Sequence, residues 1–102
     1  MSLVNQASLM MHTARLHDYQ SQFYQNSARR LQLSNQMFGL NSDNNSKAQT
    51  AAYYAEDRTL AVRNSWLWSM IENVKAMIDR IEKMIDRENN RRERWIENGW
   101  LF

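Results

Sequence analysis

The sequence predicts an all-α fold, a long antiparallel helical hairpin of coiled-coil type that self-associates into a helical bundle. Three observations support this prediction. The 102 residues include no proline and only two glycines, so almost nothing interrupts a helix. One polar stretch near the middle is the only loop-like segment, and the second half carries a regular apolar repeat. We expect residues 1–102 to form a single hairpin domain.

The first helix is predicted from residue 3 to residue 38, with Ser2 as its N-cap and Gly39 as its stop. One face repeats every seven residues, and each large side chain is followed four residues later by a smaller one. Small residues let a partner backbone come close, so we expect this face to receive the second helix. The large members are Leu3, Met10, His17, Tyr24, Leu31 and Phe38, and the small ones are Ala7, Ala14, Ser21, Ala28 and Asn35. Additional apolar residues at Leu9, Leu16 and Phe23 widen the apolar arc and favour a bundle.

Residues 39–46 are predicted to form the loop, because their short polar side chains favour turns. Ser46 and Gln49 fit the capping-box pattern, so the second helix is expected to run from residue 47 to residue 98. Asn89 and Asn90 are its one weak point. Gly99 would stop the helix, and residues 99–102 would form a C-terminal hook.

The second helix carries a strict heptad seam. Its members follow one another in alternating steps of four and three residues, which keeps them on one narrow stripe that is typical of helix pairing. The seam consists of Leu67, Ile71, Val74, Ile78, Ile81 and Ile85. Trp66 and Trp68 cannot both face it, so one of them should contact a neighbouring subunit or remain partly exposed.

The two predicted helices differ in length, roughly 54 Å against roughly 78 Å at 1.5 Å per residue. Folded back, the second helix should therefore outrun the first near Ile81 or Ile85, by roughly 16 residues. That uncovered end carries the predicted partner-binding residues Trp95, Ile96, Trp100, Leu101 and Phe102. An exposed apolar end of this kind indicates docking onto a partner.

Charge gives a weaker signal. The net charge is +2, and residues 52–102 hold nine basic and nine acidic groups, whereas nucleic-acid modules usually show an unbalanced basic face. The densest basic cluster, a candidate nucleic-acid patch, is Arg87, Arg91, Arg92 and Arg94. Arg29 and Arg30 could extend such a surface or suit an acidic partner. Because the charges balance, nucleic-acid binding ranks third among the functions considered.

No residue pattern predicts catalysis. The chain has no cysteine, and its two histidines, His12 and His17, lie about 140° apart on a helix and cannot share a metal ion. We expect His17 to be half-buried beside Asp18. Glycine-rich phosphate loops and nucleophile or zinc motifs are missing from the sequence. The prediction is a non-enzymatic protein without cofactor, metal ion or small-molecule substrate.

Two stretches carry a resemblance. Residues 6–18 show the pattern Q-A-x-L-x(3)-T-A-R-x-x-D, and residues 30–36 continue it as R-L-x-L-S-x-Q. In these patterns the chain resembles small uncharacterised bacterial helical proteins, which bring no activity with them. In size and layout it is also similar to type III needle and rod subunits and to the WXG100 hairpins, although Phe38-Gly39-Leu40 replaces the Trp-x-Gly turn of the latter.

The function that these observations favour is a structural or assembly subunit of a bacterial complex, of the exported secretion-system type. It would bind copies of itself and a further protein. The alternative is a small helical adaptor or secretion chaperone that binds a partner helix. With no apolar run of membrane-spanning length and no signal-peptide core, the sequence predicts a protein that is cytoplasmic or exported without a cleaved signal peptide.

Overall fold

The computed structural model describes residues 3–39 and 44–97, and within these ranges it contains two helices and no strand. Helix α1 spans Leu3–Phe38 and helix α2 spans Asn44–Glu97. The predicted all-α helical hairpin is therefore confirmed. Helix α2 begins at Asn44 rather than at residue 47, so the last part of the predicted loop is helical. It also continues unbroken through Asn89 and Asn90. The predicted hook at residues 99–102 lies outside the described residues.

The chain divides into two compact units. The first unit comprises Met1–His17 and Glu72–Phe102, of which residues 3–17 and 72–97 are described. The second unit is Asp18–Ile71. Each unit contains a piece of both helices, so each has its own interhelical packing.

In the first unit, the core consists of aliphatic side chains of α2. Val74, Ile81 and Ile85 are buried there. Between the helices of this unit, Asn5 Nδ2 donates a hydrogen bond to Glu88 Oε1 at 2.9 Å.

In the second unit, the buried apolar residues are Leu33, Leu67 and Ile71. Contacts between the helices involve later residues of α1 and progressively earlier residues of α2. Arg63 donates to Gln22 at 3.2 Å, and further along α1 Arg29 pairs with the earlier residue Glu56. The two helices are therefore antiparallel in this unit, as predicted.

The prediction of which face of α1 packs on α2 is wrong. Its large members are exposed, from Leu31 at 64% to Phe38 at 94%. His17 and the five small members are exposed as well. Leu33 is the buried residue of α1, and the half-buried positions include Leu9, Leu16, Phe23 and Met37. Helix α1 thus turns toward α2 a face about 150° away from the predicted one.

Polar residues of α2 explain this orientation. The heptad stripe of α2 carries a carboxylate or an amide at several positions, and each needs a polar partner when it is covered by another helix. The face of α1 that packs on α2 supplies them, whereas the predicted face is mainly apolar and carries no arginine. The pairs are Arg30 with Asp57, Ser27 with Asn64, and Asn5 with Glu88.

The uncovered end of α2 is shorter than predicted. Ile81 and Ile85 are buried, and Glu88 still contacts Asn5 near the start of α1. The exposed stretch begins after Glu88, and every residue from 89 to 97 is exposed. The contacts between the helices thus extend further along α2 than the predicted point near Ile81 or Ile85.

Candidate interaction surfaces

The predicted seam lies in the interior of the hairpin. Five of its six members are buried, and Ile78 is half-buried. The same steps of four and three extend the stripe toward the start of α2, where all six additional positions are buried or half-buried. These positions are Ser46, Thr50, Tyr53, Asp57, Leu60 and Asn64. Sequence reasoning missed them because a search for apolar repeats stops at polar residues, although the period of 3.5 continues through them.

Asn64 is a polar residue in the middle of the packed stripe. Its side chain is 7% exposed, and its Nδ2 donates to Ser27 Oγ at 3.3 Å. Its Oδ1 is buried and accepts no hydrogen bond. A buried asparagine at a seam position lowers stability but selects one alignment of the paired helices, because other alignments leave more of its hydrogen bonds unmade. We therefore expect Asn64 to select the register of the second unit.

Two neighbouring ion pairs join the helices of the second unit. Arg29 donates from Nε and Nη2 to Glu56 at 2.7 and 3.0 Å, and Arg30 donates from Nε to Asp57 Oδ1 at 2.8 Å. The hydrogen bonds from Arg29 lower the pKa of Glu56, and the pKa of each arginine is raised by its carboxylate. The acidic partner that Arg29 and Arg30 suit is thus α2 of the same chain. The sequence did contain a signal for these ion pairs, since two adjacent basic residues in the first helix match two adjacent acidic residues in the second.

The two tryptophans flank the seam of the second unit on opposite sides. Trp66 makes an edge contact with Tyr19 at 5.8 Å between ring centroids and lies 4.4 Å beneath the Arg63 guanidinium. Trp68 packs on Phe23 at 5.9 Å. Both tryptophans contact α1 and both stay about half-exposed, so their contacts fix the sides of the helix pair while leaving aromatic surface at its edges.

The basic cluster is divided between two grooves. Arg87, Arg91 and Arg94 line one of about 220 Å³ together with Asn90. Another, of about 230 Å³, is lined by Arg92 with Glu88 and Trp95 and again by Arg91, which borders both grooves. All four arginines are exposed. They do not share one groove, and a carboxylate accompanies one of the two, which weakens the prediction of a phosphate-binding patch.

Of the predicted partner-binding residues, two are described. Trp95 is 43% exposed and Ile96 is 56% exposed. Trp100, Leu101 and Phe102 lie outside the described residues. Within the described residues, the predicted docking end of α2 is therefore exposed.

The histidines differ from expectation. His17 is exposed and not half-buried, whereas His12 is half-buried and its Nδ1 is buried without a hydrogen-bond partner. The reversal follows from the orientation of α1, which places the stripe of His12 toward α2. Over residues 3–39 and 44–97, no three metal-ligating side chains come together. Within the same ranges, neither helix has a stretch apolar enough and long enough to span a bilayer.

No family model, curated protein or solved structure matches this chain. Its function must therefore be argued from its own surfaces.

The most conspicuous of these surfaces are apolar. In the described part of the chain, fifteen large apolar side chains are exposed, against six that are buried. Of the seven on α1, five belong to the face that was predicted to pack on α2, namely Leu3, Met10, Tyr24, Leu31 and Phe38. On α2, a groove of about 670 Å³ includes Ala51, Tyr54, Ala55 and Val62.

Proposed function

We propose that this protein is a non-enzymatic structural subunit that assembles through its helix faces into oligomers of a bacterial complex, of the exported secretion-system type. The observation that carries the proposal is the excess of exposed over buried large apolar side chains. Single exposed apolar residues are ordinary, but contiguous exposed patches on soluble proteins mark interaction sites.

The hairpin by itself buries little. Its core is one stripe of α2, and α1 contributes Leu33 as its fully buried residue. Small domains with cores of this size are commonly stabilised by oligomerisation. Association would remove the remaining apolar surface from water, which supplies the driving force for assembly.

The mass of the full chain in solution tests the proposal. Light scattering coupled to size-exclusion chromatography should give a defined dimer or higher oligomer, and thermal stability should rise with concentration over about a hundredfold range, because association stabilises the folded state. A folded monomer, with helical circular dichroism and a melting temperature independent of concentration, would contradict the proposal.

The groove on α2 supports a second candidate function, that of a helical adaptor or secretion chaperone. Ala51, Ala55, Arg58 and Val62 line it in steps of four, three and four residues, so the groove offers small and aliphatic side chains to a partner helix around one arginine. A chaperone should stay monomeric alone and bind an amphipathic client helix in this groove. The same light-scattering experiment therefore separates the two candidates.

The exposed end of α2 supplies a further contact for a different protein. Aromatic residues commonly dominate the binding energy of interfaces, so Trp95 and Ile96, with Trp100, Leu101 and Phe102 after them in the sequence, are the proposed docking segment. Deleting residues 100–102 should abolish partner binding or lower the oligomeric order while most helicity survives. Loss of helicity with unchanged assembly would show that the segment serves the fold of the chain itself.

A further inference from the structure

The second unit exposes an apolar stripe on α1, which we call the outer face. Its large members are Tyr24, Leu31 and Phe38, with 69%, 64% and 94% of their surfaces exposed. The small residues Ser21, Ala28 and Asn35 lie between them and are exposed as well. The steps alternate between four and three residues, so these six side chains form a coiled-coil seam of about five turns that α2 does not cover.

The order of large and small residues is self-complementary. In an antiparallel helix pair, each seam position that carries large residues faces the seam position of the partner that carries small ones. A large residue can therefore face a small one. An antiparallel copy of α1 achieves this along the whole outer face. Tyr24 then faces Asn35 of the second copy, Leu31 faces its Ala28, and Phe38 faces its Ser21. In a parallel pair, large residues would face large ones and small residues would face small ones.

The residues beside the outer face also favour an identical partner. Gln25 and Gln32 lie along one edge, and Gln20 and Ser34 lie along the other. Each of these side chains can both donate and accept a hydrogen bond, so identical edges are compatible. A face built for a different protein commonly carries charges of one sign that select the opposite sign. The nearby charges, Arg29 and Arg30, are already paired with α2.

The exposed area fits a modest helix-pair interface. Tyr24, Leu31 and Phe38 together expose roughly 400 Å² of side chain, about half of the roughly 800 Å² per partner that a standard stable interface buries. The small residues and the two glutamine and serine edges supply further area along the same five turns.

We propose that a second copy of this chain binds the outer face, with the two α1 helices antiparallel and Leu31 of each copy packed on Ala28 of the other. The inference rests on the proposed function, in that it presumes assembly, and it adds the surface and the register. Helix α1 would then lie between α2 of its own chain and α1 of the partner.

Cysteine cross-linking tests the surface and the register together, because the natural chain has no cysteine. The variants are Tyr24→Cys and Asn35→Cys. A disulfide needs Cα atoms within about 7 Å, which the antiparallel register allows between residue 24 of one copy and residue 35 of the other. Two copies of residue 24 would lie roughly 16 Å apart along the axis in that register.

An equimolar mixture of the two variants should therefore give a disulfide-linked dimer on mild oxidation, and neither variant should do so alone. Cross-linking of each variant with itself would overturn the antiparallel arrangement. If wild type is an oligomer and neither the variants nor their mixture cross-link, the outer face is not the interface, while the proposed function stands. A wild-type monomer would overturn both.

A matched pair of charge substitutions gives an independent test. Leu31→Asp introduces a charge on the outer face, and Val62→Asp introduces one in the groove of α2, at a residue of nearly equal exposure, 67% against 64%. Leu31→Asp should weaken dimerisation by about tenfold or more, with helical circular dichroism retained, because a carboxylate would be buried there. Val62→Asp should dimerise as wild type. The opposite result would assign the interface to the α2 groove.

Discussion

The two units of this hairpin are held together in different ways. In the first unit, the described core is a row of aliphatic residues of α2, and Asn5 of α1 donates a hydrogen bond to Glu88 of α2. In the second unit, ion pairs, an asparagine and aromatic pairs accompany an aliphatic core of the same number of buried residues, Leu33, Leu67 and Ile71. Aliphatic side chains pack in many alignments, whereas hydrogen-bonded and charged pairs are satisfied in few.

The difference separates two contributions to the fold, namely the stability of the hairpin and the alignment of its two helices. We infer that the buried aliphatic residues of both units supply most of the stability and that the polar pairs of the second unit determine which residues of α1 meet which residues of α2. The substitutions below test this division, from the largest expected effect to the smallest.

The aliphatic stripe should tolerate a charge least. Val74 is 1% exposed, and Val74→Asp would bury a carboxylate without a partner. The free energy of unfolding should fall by about 3–5 kcal/mol, enough to unfold much of the chain. Circular dichroism during urea denaturation measures this change. Met77→Asp, at an exposed position on the same helix, is the control and should stay near wild type. Similar stability of the two variants would show that the stripe is not the source of stability.

Replacing the buried asparagine should separate stability from register. Asn64→Leu removes the buried acceptor that has no hydrogen bond and extends the aliphatic stripe, so the free energy of unfolding should rise by about 1–2 kcal/mol. At the same time, the chain should populate more than one helix alignment, visible as extra amide peaks in nuclear magnetic resonance spectra. A variant that is less stable than wild type would contradict the role assigned to Asn64.

Lengthening the loop should change the free energy of unfolding less than substituting Val74 or Asn64. The predicted loop is polar in sequence, and lengthening a loop costs little closure entropy. Four Gly/Ser residues inserted between Asn41 and Ser42 should lower the free energy of unfolding by about 1 kcal/mol or less. A large loss of helicity in circular dichroism would show that the connection itself helps to set the register.

The smallest expected effect concerns the ion pairs of the second unit. Because the folded-state pKa of Glu56 is lowered, its contribution to stability is complete above its usual pKa of 4.5 and is lost as pH falls through the lowered value. Glu56→Gln should therefore melt slightly below wild type at neutral pH, and the difference should vanish in acid. Exposed Glu82→Gln serves as control. A melting difference that persisted at low pH would rule out the charge of Glu56 as its cause.

Helix α2 shows how far the sequence alone could predict the fold. The lack of proline and the apolar heptads predicted its existence and its packed stripe from Leu67 to Ile85. The continuation of that stripe through Asp57 and Asn64 was missed, because those polar positions become recognisable as interior only when their partners on α1 are known.

Helix α1 shows what the sequence could not decide. It carries two stripes with heptad spacing, one of them more regular in its large and small residues, and the sequence prediction chose that one. The structure places it outward. Hydrophobic periodicity identifies an apolar stripe but does not say which partner covers it, since apolar contacts are not directional.

The sequence by itself thus determined the helices, the hairpin and the aliphatic stripe of α2, because these follow from local propensity and from a period that any pairing would use. Only the tertiary structure decided which face of α1 meets α2. That choice depended on hydrogen bonds and charges that become pairs only when both helices are present, as Arg30 with Asp57 and Ser27 with Asn64 show.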